Sequence, residues 1–367
     1  MTPPLRGFTI GVTGDRRADE QIELLTRRGA SIVHGPTIEI SNLRESPELS
    51  EATRSLLERA PDMVVATTGV GMRSWFEAAD GLGLGDSLRS TLTSAELVSR
   101  SPKASGAAVT IGFNVSWQAE GERTNDVANY LSQRDLNGVR IAVQRDGSGV
   151  DHLARQLRDL GAEVIDVPIY RWKLPTNRGP ANRLLDQIAN RDLDAITITS
   201  SPALTNLIEL ANQRDDSEAI LEGLTDPNLL LGSVGPACTE TAQAAGMVSI
   251  VQPQRFRLGS MVKVLTEALS STAWTASVGG VKVRVQGASV MVDEQERLLP
   301  RRQQQLLQQL HEAGGAVVSK AELARQIWGA GSDPHVVEVT IGRLRQNLGS
   351  ANALVDTVAR RGYRINA

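Results

Sequence analysis

Two stretches of the chain read Asp62-Met63-Val64-Val65-Ala66-Thr67-Thr68 and Asp194-Ala195-Ile196-Thr197-Ile198-Thr199-Ser200, and they stand 132 positions apart. Each is a short apolar run, rich in β-branched residues, that starts at an aspartate and ends at small hydroxyl side chains. Runs of this length and composition are typical of strands buried on both faces of a parallel sheet. The two stretches therefore predict equivalent strands in two copies of one unit.

The repeat extends outward from these strands. Gly29 and Pro36 recur as Gly161 and Pro168 at the same offset of 132, and a later pair of prolines, Pro102 and Pro236, is offset by 134. This regularity indicates a duplicated unit of about 130 residues. In each unit, short apolar runs alternate with stretches of helical periodicity. The predicted fold is therefore two α/β lobes, each a parallel sheet flanked by helices.

The carboxyl ends of the predicted strands carry the candidate ligand-binding residues, because ligands of open parallel sheets bind beyond those ends. Small polar side chains precede a predicted helix in each case, and helix N-termini favour carboxylate or phosphate groups. The alternative interpretation is that these residues are only helix caps and tight turns. The candidates are Thr67, Thr68, Ser200, Ser201, Gly235, Cys238 and Thr239.

The C-terminal residues 279–367 follow a different pattern, an α+β winged helix-turn-helix. Alternating runs near 281–285 and 288–292 predict antiparallel strands, and three helical stretches are predicted over 300–312, 319–328 and 333–348. A final hairpin is expected to pair 354–359 with 363–366. Small polar residues at 269–278 predict a flexible linker before this domain.

The third of these helices has one apolar stripe and one polar face. Val337, Ile341, Leu344 and Leu348 share the stripe and should face the core. The opposite face fits insertion into the major groove of DNA, with Arg343 placed to contact guanine or a phosphate. A winged helix used only for protein contacts is the alternative. The candidate DNA-binding residues are His335, Val339, Thr340, Arg343, Arg345, Gln346, Arg360, Arg361 and Arg364.

Charge and composition agree with this division. Residues 279–367 carry 12 Lys and Arg against 8 Asp and Glu, whereas the whole chain has a net charge of −3, so the first 278 residues are acidic at −7. A basic C-terminal end predicts contact with a polyanion there. The single cysteine excludes an intramolecular disulfide and a cysteine-rich zinc site. Without a signal peptide or a transmembrane run, we expect a cytoplasmic protein with no membrane partner.

Residues 5–270 resemble uroporphyrinogen-III synthase. The resemblance is carried by three segments, 161–171, 196–202 and 234–238. It implies that lobe two, residues 37–171, is inserted into lobe one, residues 1–36 and 172–268. It also implies a metal-free and cofactor-free tetrapyrrole site with Tyr170 as its most active-site-like residue. Ala237 and Cys238 stand where the family has paired threonines, a departure that argues against catalysis.

Residues 279–367 resemble the DNA-binding domain of OmpR/PhoB-type response regulators. The matching stretches are 299–307, 318–329, 337–345 and 358–365. No set of acidic residues typical of a phospho-accepting receiver precedes the domain, so the input is expected to be a small anion, a tetrapyrrole or a protein co-regulator. Fusions of these two modules resemble regulators of nitrate and nitrite assimilation.

Three functions remain open on the sequence. The favoured one is a transcription regulator that binds promoter DNA, with a homodimer as one arrangement on the DNA, and carries a sensor without catalytic activity. The second is a bifunctional uroporphyrinogen-III synthase with a DNA-binding domain. In the third, the first 270 residues serve dimerisation alone.

Overall fold

The computed structural model describes residues 2–15, 17–42, 46–145, 152–329 and 331–366, except for the side chains at 40–42 and 170–172. The chain forms two compact units. One unit comprises Met1–Ile38 and Pro175–Ala367, and the other comprises Glu39–Leu174. The first unit contains lobe one and the winged domain, and the second is lobe two.

The strands are short, mostly of four or five residues, and their bounds follow in chain order. They are β1 (Thr9–Val12), β2 (Ser31–His34), β3 (Glu39–Asn42), β4 (Met63–Ala66), β5 (Glu96–Ser99), β6 (Val115–Gln118), β7 (Arg140–Gln144), β8 (Glu163–Val167), β9 (Tyr170–Lys173), β10 (Ala195–Ile198), β11 (Leu230–Ser233), β12 (Ile250–Val251), β13 (Trp274–Val278), β14 (Val281–Gln286), β15 (Ser289–Val292), β16 (Gln295–Leu298), β17 (Val355–Val358) and β18 (Gly362–Ile365).

The α-helices alternate with the strands of both lobes and then occur in succession in the winged domain. They are α1 (Ala18–Thr26), α2 (Pro47–Glu58), α3 (Gly69–Gly81), α4 (Gly85–Leu92), α5 (Pro102–Ile111), α6 (Thr124–Leu131), α7 (His152–Asp159), α8 (Gly179–Ala189), α9 (Ser201–Asn212), α10 (Ser217–Leu224), α11 (Pro236–Ala244), α12 (Leu258–Ser270), α13 (Arg301–Glu312), α14 (Lys320–Trp328) and α15 (His335–Leu348).

Lobe one is built on a parallel five-stranded sheet in the order β12-β11-β10-β1-β2. Its strands come from both ends of the lobe's sequence, because β1 and β2 precede lobe two and the other three follow it. Ile10 and Val12 of β1 pack with Met261 and Leu265 of α12 in one buried cluster. The interior placement of β1 holds the separated segments together.

Lobe two repeats this topology, with the parallel order β6-β5-β4-β7-β8. Each strand occupies the place of its sequence counterpart in lobe one, so the duplication is confirmed. Successive residues of β4 face opposite sides, since Val64 joins one buried cluster and Val65 the other. Helices therefore cover both faces of the sheet, and the predicted fold class is confirmed. The strands β3 and β9 form a separate antiparallel pair.

The winged domain consists of an antiparallel four-stranded sheet in the order β13-β14-β15-β16, three helices and the hairpin β17-β18. The apolar stripe of α15 is buried as expected. Ser319 caps α14 by accepting a hydrogen bond from the backbone N–H of Glu322 at 3.1 Å, as a capping position predicts.

The linker expected over 269–278 is wrong. Helix α12 continues to Ser270, and 274–278 form β13, which pairs with β14 along its whole length. Trp274 is only 9% exposed and belongs to the core of the winged domain. Of the small polar residues that suggested flexibility, Thr275 and Ser277 are exposed on this strand, whose ends, Trp274 and Val278, are buried. The sequence analysis also missed β16.

None of the helices in the described part of the chain is long and apolar enough to span a bilayer.

Candidate DNA-binding surface and ligand-binding edge

Helix α15 presents its polar face to solvent. His335, Val339, Gly342, Arg343 and Gln346 are all exposed, opposite the buried stripe. Among the described residues, the side chains of Arg343 and Gln346 have no hydrogen bond or ion pair. Arginine and glutamine are the side chains that form bidentate contacts to guanine and adenine, and Val339 offers an apolar contact for a thymine methyl.

Arg345 has a structural role that the sequence analysis did not expect. Its guanidinium donates to the backbone oxygen of Val355 from two nitrogens, at 3.1 and 2.7 Å, and to the hydroxyl of Thr357 at 2.7 Å. It also lies 5.9 Å from the ring centroid of Tyr363. Arg345 therefore ties α15 to the final hairpin, and its contact with DNA stays a prediction.

The hairpin carries its arginines differently. Arg360 and Arg361 are exposed at the turn, and neither side chain has a partner within the described ranges. Arg364 instead forms an ion pair with Asp356 on the neighbouring strand at 2.9 Å. Arg360 and Arg361 are thus available for phosphate contacts, whereas part of the charge of Arg364 is already compensated.

The amino end of α15 is fixed by a small polar cluster. Glu338 accepts from Lys320 of α14 and lies 3.2 Å from Nδ1 of His335. The hydrogen bond from Lys320, and secondarily its charge, lowers the pKa of Glu338. The hydroxyl of Thr340 donates to the backbone oxygen of Val336 at 2.7 Å, so it is used within the helix. His335 stays exposed and keeps its other ring nitrogen for a further contact.

The winged domain is docked on lobe one through Arg301, the first residue of α13. Its guanidinium donates to the carboxylate of Asp194 at 2.5 Å and to the backbone oxygens of Arg191 and Leu193, both at 2.8 Å. Gln304 adds a bond to the same carboxylate oxygen at 3.0 Å. The other oxygen of Asp194 accepts the backbone N–H of Thr9 at 2.7 Å. One carboxylate therefore joins β1, β10 and the winged domain.

A second set of contacts continues this interface, which we call the seam. The side-chain amide of Gln286 donates toward the backbone oxygens of Pro3 and Arg6, both at 3.0 Å. The backbone N–H of Ala288 donates to the oxygen of Gly7 at 2.8 Å. The approach is so close that a Cβ added to Gly287 would lie 2.6 Å from that same oxygen, so only glycine fits there.

The ligand-binding edge of lobe one lies where β10 and β11 end. Ser200 precedes α9, but its hydroxyl makes no capping bond, and it has no other partner in the part of the chain that is described. Ser200 is half-buried, so a helix cap does not account for it. A ligand oxygen at the N-terminus of α9 would find this hydroxyl free to donate.

Cys238, a predicted ligand contact, is buried, and its contact with a ligand stays a prediction. It is 4% exposed, and burial raises the pKa of its thiol to about 11, opposed by a hydrogen bond with Ser201. The thiol is therefore protonated at neutral pH and faces inward. The side chain of Ser201 is turned toward this buried sulfur.

The turn after β11 is held from within by Ser233, which the sequence analysis missed. The buried hydroxyl of Ser233 donates to the backbone oxygen of Gly235 at 2.9 Å and accepts its N–H at 3.3 Å. Thr239 directs its hydroxyl to Ser233 at 2.9 Å and to Gln252 at 2.6 Å. Thr239 therefore stabilises the turn from within, and Gly235 itself is buried.

In lobe two, Gln144 organises the edge. Its side-chain oxygen accepts the backbone N–H groups of Thr67 and Thr68, both at 2.8 Å. The hydroxyl of Thr67 is buried and directed to Gln144 as well, so Thr67 is a structural residue. Thr68 caps α3 by accepting from Gly71 at 3.0 Å, as the capping interpretation predicts.

Tyr170 begins strand β9, and its side chain lies outside the described residues. Thr67 and Thr68 belong to lobe two, and the remaining edge residues belong to lobe one. Convergence of these residues across the lobes stays a prediction. No group of three or more His, Cys, Asp or Glu side chains in the described ranges is arranged to hold a metal ion.

Comparison with known proteins identifies the families that the two parts of the chain match. Residues 19–263 match the family model described as uroporphyrinogen-III synthase HemD, and residues 294–365 match the one described as transcriptional regulatory protein, C terminal. The structure of a mutant uroporphyrinogen III synthase from Thermus thermophilus superposes with a TM-score of 0.62 at 24% identity, covering 72% of this chain and 99% of that one.

Two curated relatives match over similar lengths. A protein called uncharacterized protein YjjA, from Bacillus subtilis, is 23% identical over 270 residues, which are 73% of this chain and 98% of the relative. A putative uroporphyrinogen-III synthase from Methanothermobacter thermautotrophicus is 25% identical over 255 residues, which are 69% and 95%. More than a quarter of this chain lies outside each match.

Proposed function

The chain belongs to the uroporphyrinogen-III synthase HemD family and carries a C-terminal transcriptional regulatory domain of the OmpR/PhoB type, and from this premise we propose that it is a DNA-binding transcription regulator whose HemD-like lobes sense a ligand without catalysis. The DNA-binding part rests on one observation above all. The exposed face of α15 carries Arg343 and Gln346, and the adjoining hairpin carries Arg360 and Arg361, all without partners inside the described part of the chain.

The sensor part rests on the edge of lobe one. Ala237 and the buried Cys238 occupy the positions where the family has paired threonines, so two hydroxyls are missing at the start of α11. Ser200 and the N-terminus of α9 remain, and they favour an anionic ligand. A site that keeps these anion-binding groups but lacks the two threonine hydroxyls of the family is better suited to binding a ligand than to converting it.

In this proposal, one strand connects the ligand-binding edge to the DNA-binding domain. Strand β10 has Ser200 just beyond its carboxyl end and Asp194 just before its amino end, and Asp194 holds Arg301 of the winged domain. A ligand at Ser200 would alter DNA affinity by preferring one arrangement of the lobes and the docked domain over another.

The regulated promoters, by analogy with fusions of the same two modules, are those of nitrate and nitrite assimilation genes. Nitrite reductase needs a tetrapyrrole made from uroporphyrinogen III, which would connect the sensor to the regulated pathway. The protein would act in the cytoplasm, bind its operator as a homodimer and cooperate there with a protein co-regulator.

The test is a fluorescence-anisotropy titration of the full chain with promoter DNA of a nitrite reductase operon and with unrelated DNA, at several salt concentrations. Specific binding should weaken with salt, because each phosphate contact releases counterions. Arg343→Ala should reduce the preference for promoter DNA, and Arg325→Ala, which removes an exposed arginine paired with Glu322 on α14, is the matched control. A synthase assay with hydroxymethylbilane should show no turnover, and turnover at an ordinary enzymatic rate would make the chain bifunctional.

A further inference from the structure

The segment Arg255-Phe256-Arg257 forms a tight turn between β12 and α12 of lobe one. The backbone N–H of Arg257 donates to the oxygen of Arg255 at 2.7 Å, a bond between residues two apart that defines a γ-turn. Phe256 stands at its apex and is 48% exposed. The turn belongs to the same carboxyl edge of the sheet as Ser200 and Gly235.

The Phe256 side chain packs against the turn that starts α11. A Cβ added to Gly235 would lie 3.3 Å from Cγ of the ring and 3.5 Å from Cδ1. The absence of a side chain at Gly235 is what lets the ring lie this close to the backbone. Since Phe256 is about half exposed, the part of the ring that does not contact this turn is open to solvent.

Two arginines flank Phe256 in the sequence of this turn. Arg255 and Arg257 are both exposed, and neither side chain has a hydrogen bond or ion pair with any described residue. An exposed aromatic ring forgoes much of the stabilisation that burial of such a side chain contributes, and a ligand lying on the ring would recover it.

We propose that Phe256, Arg255 and Arg257 form a recognition platform for a planar conjugated molecule that bears carboxylates at its edge. The flat face would stack on Phe256, and the carboxylates would pair with the two arginines. A flexible tetrapyrrole with saturated bridges cannot offer such a face, so the platform selects the flat, oxidised form. This inference rests on the proposed function, since it specifies the ligand of the same edge.

Nucleic acid is the competing ligand, because aromatic rings and arginines also bind single strands. The charge of the surrounding chain argues against it. Residues 1–278 have a net charge of −7, which repels an extended polyanion and tolerates a small molecule whose few carboxylates meet two arginines.

The experiment is a fluorescence titration of the full chain with uroporphyrin, a flat macrocyclic polycarboxylate, beside titrations with hydroxymethylbilane and with phosphate. Phe256→Ala should weaken uroporphyrin binding about 2- to 12-fold, the range that corresponds to an aromatic pair. Arg255→Gln and Arg257→Gln should each weaken it and reduce its salt dependence. Val248→Ala is the control, since it shortens another exposed apolar side chain of lobe one away from the turn.

The outcomes separate the platform from the wider proposal. Uroporphyrin binding that is equal in the wild type and Phe256→Ala overturns the platform and leaves the ligand sensor intact. Loss of DNA affinity in Phe256→Ala with unchanged uroporphyrin binding overturns it in favour of a nucleic-acid contact. Phosphate binding that depends on Ser200, without any uroporphyrin binding, also overturns the platform but supports the anion-binding edge. Unchanged circular dichroism of each variant ensures that the comparison reports on the surface.

Discussion

The seam offers the sharpest test of how the DNA-binding domain is held. We consider Arg301→Ala, which removes the guanidinium that donates to Asp194 and to the backbone oxygens of Arg191 and Leu193. The two charged side chains are 20% and 12% exposed, so water screens their interaction only in part. The substitution leaves the carboxylate with its bonds from Thr9 and Gln304.

The magnitude follows from these contacts. Removing one partner of a fully buried ion pair costs about 3–5 kcal/mol, because a charge is left uncompensated. Here two bonds to the carboxylate survive and some solvent reaches it, so we expect the seam to lose about 2–3 kcal/mol. Since 1.4 kcal/mol corresponds to a factor of ten, opening of the seam should become about 30- to 150-fold more frequent.

Hydrogen exchange measures this opening directly, because the N–H of Ala288 crosses the seam to the oxygen of Gly7. In Arg301→Ala, the peptide that contains Ala288 should exchange about 30- to 150-fold faster than in the wild type. Arg325→Ala, which breaks only an exposed pair on α14, should change exchange there by less than about 3-fold. Equal exchange in the two variants would refute the view that Arg301 holds the domain in place.

Three further predictions concern other parts of the chain. Arg343→Ala should weaken specific DNA binding by about 1–3 kcal/mol with a much smaller effect on nonspecific DNA, and equal losses on both in an anisotropy titration would reassign Arg343 to phosphate contact. A fragment of residues 279–367 should be about 3–5 kcal/mol less stable to urea than one of residues 272–367, because it lacks β13 and the core residue Trp274; equal stability would contradict the place of that strand in the core. Burial raises the pKa of Cys238 to about 11, so a thiol reagent should modify the native protein far more slowly than the unfolded protein at pH 8. The free energy of unfolding should also fall as pH rises from about 9 toward 11, because the thiol of the unfolded state loses its proton first. Rapid labelling of the native protein would show that the thiol is accessible.

Periodicity predicted the elements that bury one face. The stripe of Val337, Ile341, Leu344 and Leu348 is spaced for a helix and is buried as expected. The repeated runs at 62–68 and 194–200 predicted one strand in each of the two sheets, because a strand covered on both faces must be apolar along its length. In both cases the burial that the fold requires is visible in the local spacing of apolar residues.

The candidate edge residues follow the strands as the sequence indicated, but the directions of their side chains were not predicted. Hydroxyl side chains after the strands were correctly located at the carboxyl edges, yet Thr67 and Cys238 turn inward while Ser200 stays open. Which way such a side chain turns depends on its hydrogen-bond partner. Thr67 is bonded to Gln144 of β7, and Thr239 is bonded to Ser233 of β11. Sequence position alone does not contain that information.

The contact between Asp194 and Arg301 at the seam could not be predicted from the sequence for a related reason. Asp194 and Arg301 are 107 positions apart, and neither has a local pattern that distinguishes it from a solvent-exposed charge. The linker prediction failed for the same cause, since the small residues around Trp274 suggest flexibility unless the partner strand β14 is known. Contacts of this kind come from tertiary packing, which overrides local composition.

If signals pass from the ligand edge to DNA, Arg301 should be needed for their passage. Ser200 and Asp194 flank β10, and at about 3.3 Å per residue the strand places them some 20 Å apart. Coupling between two sites is reciprocal, so a ligand that changes DNA affinity must have its own affinity changed by DNA by the same factor. Both factors can be measured by titrating ligand with and without promoter DNA. In Arg301→Ala the factor should fall toward one while the winged domain keeps its DNA affinity, because α15 is untouched by the substitution. A variant that keeps the full coupling factor would show that the signal bypasses the seam, and the lobes would then have to act on DNA binding through another contact.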